Sequence, residues 1–388
     1  MEICKVNDKQ SRQLFLEIPT NIYANDPNWI KPLDKEINDV FDEEKNKAYR
    51  FGKTERWILR NNDGKWIGRI AAFVNKKYKT KGDDCAVGGI GFFECINNQE
   101  AADMLFDNAK HWLLNEGVEA MDGPINFGER DKWWGLVTEG FHPPLYGMNY
   151  NLPYYLKLFE DYGFQLFYEQ FCFGMKLDKP LQEKIWERHK SVAENPAFTI
   201  QNLKKNNLEK YISDFTEVYN KAWAGHGGMK QLAREQVAVI FKKMKPVMDE
   251  QIIWFAYHDS QPIGLFVNLP DLNQWFKKLN GKFGLMQKIY FLWLKQFQKN
   301  TKFNGLAFGV VPEFQGIGVD SFLIGEAYKS LQANKSNYTD YEMQWIGDFN
   351  PKMVNIATRL GDVFLSRKLI TMRYLFDRTK TFKRHPVL

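Results

Sequence analysis

What this sequence lacks narrows its function first. It holds no run of about 20 apolar residues, so it predicts no transmembrane helix. Cysteine is scarce: Cys4, Cys85, Cys95 and Cys172 make up the full set of four, and none stands at the Cys-x-x-Cys or Cys/His spacing that clasps a metal. Such thiols fit a reducing compartment, and no metal cofactor is expected. There is no arginine-rich block and no nucleic-acid motif, and a net charge of +6 over 388 residues is mild, so a nucleic-acid partner is not expected. Residues 1–15 are polar and charged, which is no signal peptide, and the expected location is cytoplasmic.

Aromatic residues, by contrast, are plentiful, with 31 Phe, 17 Tyr and 12 Trp. They supply substantial cores and argue against disorder, and the length exceeds that of a usual single core. Two units are expected, at 1–180 and 198–388, joined by a charged connector at 181–197. In the first, residues 56–60 and 66–74 read as strands around Asn61-Asn62-Asp63-Gly64, a hairpin signal. Residues 89–95 read as a strand. A helix from Asn98 then carries Ala102, Leu105, Phe106, Ala109, Trp112 and Leu113 on one face and closes at Gly117. A strand at 119–124, an aromatic Gly/Pro block across 123–164, a helix at 153–162 and a strand at 168–176 complete the unit.

The second unit repeats this order. A strand at 199–203 leads to a helix at 208–223, a Gly-rich turn carrying His226, and a helix near 232–248. Strands follow at 252–257, 262–267 and 306–311, then a helix from Val319, a strand at 340–346, a helix at 351–360 and two closing strands within 363–376. The repeated order implies a tandem α/β (α+β) arrangement of two mixed, mostly antiparallel sheets flanked by helices. An insertion at 272–303 interrupts the second unit. Met286, Ile289, Tyr290, Trp293 and Phe297 share one helical face there, with Lys282, Lys288, Lys295 and Lys299 elsewhere around it. Such a helix touches lipid, covers an acyl chain, or packs on the other domain.

The most informative stretch is Gly309-Val310-Val311-Pro312-Glu313-Phe314-Gln315-Gly316-Ile317-Gly318-Val319-Asp320. Pro312 ends the apolar strand because it has no N–H for a ladder. A glycine turn and then a helix leave backbone N–H groups unpaired at the positive end of the helix dipole, which makes an anion site.

This stretch resembles the coenzyme A pyrophosphate loop of the GNAT acyltransferase superfamily, Gln/Arg-x-x-Gly-x-Gly/Ala. Gln315 and Gly318 match; Asp320 stands where Gly or Ala is usual. A carboxylate at ~4 Å from a phosphate charge costs about 4 kcal/mol at an effective dielectric of ~20. At the matching turn of the first half, Cys95-Ile96-Asn97-Asn98 replaces the glycines. The resemblance implies coenzyme A or acyl-CoA as co-substrate, held by Val310, Val311, Gln315, Gly316, Ile317, Gly318, Val319 and the helix-starting Asn350. It implies an oxyanion donor among the N–H groups of Gly309, Val310 and Val311. The family's tyrosine acid would fall at Ala357 or Phe159, so neither half has it. Glu342 is the first candidate for the base and His226 the second.

The Gly-Pro-Ile-Asn-Phe block from Gly123, the turn Gly140-Phe141-His142-Pro143-Pro144, Tyr150-Asn151 ahead of Pro153-Tyr154-Tyr155, and Tyr219-Asn220 ahead of Ala222-Trp223 resemble the tandem-GNAT family that includes bacterial ceramide synthases. That resemblance implies transfer of a long acyl chain from a thioester to the amine of a sphingoid base, with peripheral membrane contact as a companion expectation. Two other readings stay open: a peptide or small-amine N-acetyltransferase, and a degenerate GNAT fold kept as a binding or scaffold protein.

Overall fold

The computed structural model describes residues 1–80, 83, 85–223, 231–359 and 362–387. The first run of elements is β1 (Glu2–Lys5), α1 (Lys9–Ile22), α2 (Asp34–Val40), β2 (Gly52–Arg60), β3 (Trp66–Asn75), β4 (Val87–Cys95), α3 (Gln99–Asn115), β5 (Ala120–Gly123), β6 (Leu136–Glu139), α4 (Tyr155–Tyr162) and β7 (Gln165–Lys176). After α5 (Glu183–Ala193) come β8 (Phe198–Asn202), α6 (Leu208–Ala222), α7 (Arg234–Met244), β9 (Ile253–His258) and β10 (Gln261–Pro270). The chain continues through α8 (Asn273–Phe276), α9 (Leu285–Phe297), β11 (Lys302–Val310), α10 (Val319–Ala333), β12 (Asp340–Met343), β13 (Ile346–Gly347), α11 (Pro351–Thr358) and β14 (Val363–Leu375). With α5, α8 and α9 set aside, both runs follow one order.

Local chemistry accounts for the elements. The β2–β3 hairpin closes where Asn61 N donates to Lys65 O at 2.9 Å and Gly64 takes a φ of +78°, a conformation that costs glycine little. Asn98 caps α3 by accepting from Ala101 N at 2.8 Å, a good N-cap geometry. The expected connector at 181–197 contains a helix, α5, laid against α10. Its His189 meets Glu326 at 2.6 Å and crowds Gly325, where an added Cβ would come within 2.6 Å of the imidazole.

The strands of both runs form one mixed sheet in the order β1-β2-β3-β4-β5-β14-β7-β12-β11-β10-β9-β8. The last strand of each run is exchanged. β14, last in sequence, lies beside β5 of the first run, with Met372 opposite Gly123; β7 lies beside β12 of the second, with Tyr341 opposite Met175. β14 and β7 pair with each other from Val363↔Met175 to Arg373↔Gln165. Arg373 fastens the exchange by donating from Nε and Nη2 to the fully buried carboxylate of Asp122 on β5, at 2.6 and 2.9 Å, a bidentate charge-assisted pair. Two closing strands were expected in 363–376. One 13-residue strand is found, because bulges at Leu365/Arg367 and Thr371/Met372 let it stay paired where its alternation breaks.

Each half opens in the same way. β4 pairs in parallel with β5 only from Val87 to Gly89, and β11 with β12 only from Lys302 to Gly305. Beyond those points the neighbouring strands part.

Candidate functional site

The parting strands of the second half build a cleft. Its volume is about 690 Å³, and β11, the turn after it, α5, α10 and α11 line it. β11 keeps its ladder to β10 as far as Gly264↔Val310, so only its other edge is bare. Val311 N donates to Ile263 O at 2.9 Å. Successive amides of a strand point to opposite edges, so the Val310 N–H turns toward the cleft. The Val310 carbonyl faces the same way and accepts from Gln315 Nε2 at 2.9 Å.

The turn then runs through Gly316 and Gly318, with φ of +81° and +108°. Gly318 is the N-cap of α10 and supplies no side-chain cap, which leaves the amides of the first turn for another acceptor. A Cβ at Gly318 would also stand 2.7 Å from Arg188 O on α5. The first half differs at the same place. Asn98 occupies the amides of α3, and Ile125 O lies 1.9 Å from where a Gly91 Cβ would sit. The nearby cavity, lined by Arg69, Phe92, Glu94, Trp133 and Tyr146 among others, holds only about 60 Å³.

Of the residues expected at the co-substrate, Val310, Gln315 and Gly316 line the cleft, as does Asp320. Ile317 is exposed, and Val319 and Val311 are buried in the core. Asn350 uses its side-chain oxygen to cap α11 at Met353 N, 3.2 Å away. From that helix Met353, Ile356, Thr358 and Arg359 reach the cleft instead. Sequence reasoning missed the cations Lys184, Arg188 and Arg359, which line the cleft with Asp320. Two of them lie in the segment read as a connector. Trp223, named in the sequence only as part of the family motif, lies over Gly309, where a Cβ would be 2.4 Å from its ring.

Glu342 sits on the opposite side of the sheet from Tyr341, whose ring packs on Phe303 and Phe266. Its side chain is 1% exposed and pairs with Lys302, while Arg367 Nε lies 3.6 Å from Oε1. Burial would raise its pKa, but Lys302 and Arg367 outweigh burial and hold the carboxyl below the usual range. Arg367 in turn donates to His142 O at 3.0 Å and Pro143 O at 2.9 Å and lies 2.9 Å from His142 Nδ1. The Gly-Phe-His-Pro-Pro turn is thereby tied to the centre of the sheet. Burial, then Arg367, lowers the pKa of His142. His226 lies outside the described residues. Ala357 and Phe159 are both buried. Among the described residues no cluster of His, Cys, Asp or Glu is placed to hold a metal.

Comparison with known proteins agrees with this architecture. The chain is 25% identical over 369 residues to Protein YghO of Escherichia coli (strain K12), covering 91% of this chain and 90% of that one. It is 23% identical over 364 residues to the bacterial ceramide synthase of Caulobacter vibrioides, covering 93% and 94%. Among solved structures it is similar to a tandem GNAT protein from the clavulanic acid biosynthesis pathway, with a TM-score of 0.54, 10% identity, and coverage of 98% and 99%. No protein-family model matches. The fold is that of a tandem GNAT protein, and the chain resembles the family that includes the bacterial ceramide synthase.

Proposed function

We propose that the chain is an N-acyltransferase that draws its acyl group from a coenzyme A thioester in the second-half cleft and delivers it to a lipid amine of the sphingoid-base class. One observation carries this reading: the bare edge of β11 ends at a glycine turn that presents the uncapped amides of α10 to a 690 Å³ cleft. The likeness to the bacterial ceramide synthase supports the acceptor class.

In this reading the pyrophosphate meets the α10 amides, with Lys184, Arg188 and Arg359 supplying the positive charge that offsets Asp320. The pantetheine arm runs along β11 beneath Trp223. The Val310 N–H points to where the carbonyl oxygen gains charge when the amine attacks. The C–S bond then breaks, and the thiolate leaves without a tyrosine acid, which a thiol of pKa ~8.5 tolerates. The amine must attack in its neutral form. Entry into an apolar pocket favours that form, and His226 is the candidate acceptor for its proton. Glu342, held anionic by two cations, is a weak base; its part is to fix Lys302 and Arg367 in the sheet.

Calorimetric titration with coenzyme A and with a long-chain acyl-CoA tests the donor site. Lys184→Ala with Arg188→Ala should weaken binding about tenfold and Asp320→Asn should tighten it, since each changes one or two charges at the phosphates. Failure of both ligands to bind refutes the coenzyme site. A screen of sphinganine, small amines and peptides, with acyl-CoA and acyl-carrier donors, then identifies the acceptor. N-acylsphinganine as product is the expected result; an acylated peptide or small amine would overturn the acceptor class.

A further inference from the structure

The helix α9 presents its apolar face to solvent. It rests on the protein through Phe291 and Leu294, which pack with Leu33, Trp275 and Phe276. Its Lys295 is tied down to Pro246 O. The stripe that the sequence marks as apolar points the other way. Met286 is 72% exposed and Phe297 68%, and Ile289, Tyr290, Leu292 and Trp293 are exposed with them. Tyr290, Trp293 and Phe297 form a continuous aromatic ridge, with ring centroids 5.9 and 5.4 Å apart. An apolar surface of this kind on a water-soluble face marks an interaction site.

Charge indicates the occupant. Residues 272–312 contain no Asp or Glu. Lys288 on α9, Lys299 just after it, and Lys277, Lys278 and Lys282 in the segment leading into it are all exposed. Aromatic and aliphatic side chains on one face, with lysines beside them and no carboxylate, are the composition of a helix lying in the interface of an anionic bilayer. At 13 residues α9 is about 20 Å long, too short to span a bilayer, and no described helix is long and apolar enough to cross one. A second copy of the chain is a poor occupant. A two-fold contact would set these lysines against their equals with no acid in the segment to answer them.

We propose that α9 is an in-plane anchor that docks the protein on an anionic phospholipid surface. This inference does not rest on the acyl-transfer reading, and its test measures no acyl transfer. The full chain is sedimented with vesicles of phosphatidylcholine alone and of phosphatidylcholine with phosphatidylglycerol. It should partition to the anionic vesicles and be released by salt. Trp293→Ser with Phe297→Ser should reduce partitioning by about tenfold or more, and Lys277→Glu with Lys278→Glu should abolish the preference for anionic lipid. All four positions are exposed, so thermal unfolding should not change. Absence of wild-type partitioning overturns the proposal, as does partitioning that the paired substitutions leave intact. Sedimentation velocity covers the rival occupant: a wild-type dimer that Trp293→Ser with Phe297→Ser dissociates, without vesicle binding, would assign the face to a second copy.

Discussion

Replacing Glu342 by Gln keeps the shape of the side chain and removes its charge from a place where charge is hard to replace. Arg367 is 0% exposed and Glu342 1%. Without the carboxylate, Arg367 keeps only neutral acceptors, His142 O and Pro143 O. Removing one partner of a buried ion pair typically costs about 3–5 kcal/mol, because the other charge stays buried. Lys302 is 18% exposed and can turn to water, and Glu342 Oε1 and Arg367 Nε make no hydrogen bond to each other. Both facts place the loss near the lower end, at about 3 kcal/mol. Urea denaturation at neutral pH measures it. The carboxyl is held below its ordinary value of 4.5 in the folded chain. Its contribution is therefore complete above about pH 4.5 and fades as pH falls through the lower folded value. The gap between wild type and variant should narrow progressively as pH falls below about 4.5. A gap under about 1 kcal/mol at neutral pH, or one that does not narrow in acid, refutes the ion-pair account. Activity per folded molecule distinguishes the roles: a fall of about 10²–10⁴ would restore Glu342 as the base, and a fall within about tenfold leaves it structural.

Other outcomes follow from the same geometry. Deleting residues 363–388 removes β14 from between β5 and β7, so the chain should lose its cooperative thermal transition; a truncated protein that melts as sharply as the full chain would refute the strand exchange. Asp271 is buried, and burial pushes its carboxyl up to about 6. A raised acid weakens the fold as pH climbs from about 4 to 6, so Asp271→Asn should add about 1–3 kcal/mol at neutral pH and nothing below about pH 4, read by denaturation across pH. Gly318→Ala forces a Cβ onto Arg188 O at a φ of +108°, which should cost about 1–3 kcal/mol and weaken coenzyme A binding in calorimetry.

The order of elements was legible because it rests on local signals: Asn61 to Gly64 for a hairpin, Asn98 and Gly117 for the ends of α3, Pro312 for the end of β11. The turn between β11 and α10 was legible for the same reason, since Gly316 and Gly318 carry its backbone conformation in their identity. Partnership was not. Nothing in the alternation of Val363 to Leu375 states that the neighbours are β5 and β7, because a strand's pattern shows how buried its faces are and is silent on which edge it joins. The same limit hid α9. Its hydrophobic stripe was visible, yet periodicity cannot tell whether protein or something else covers a stripe, and the helix is held by Phe291 and Leu294, outside the expected face. Lys184 and Arg188 were passed over because a charged segment between two units reads as a solvated connector until its helix is seen against the cleft.

The exchange of end strands also sets the order in which a nascent chain can mature. β5 emerges from the ribosome well before β14, the neighbour it needs. At about 5–20 residues per second, the first half waits for tens of seconds with the edge of β5 unsatisfied and the buried carboxylate of Asp122 lacking its arginine. Neither half can mature as an independent unit during synthesis, so closure of the sheet waits until β14 is out. A stalled or truncated product would expose an open strand edge that invites other chains.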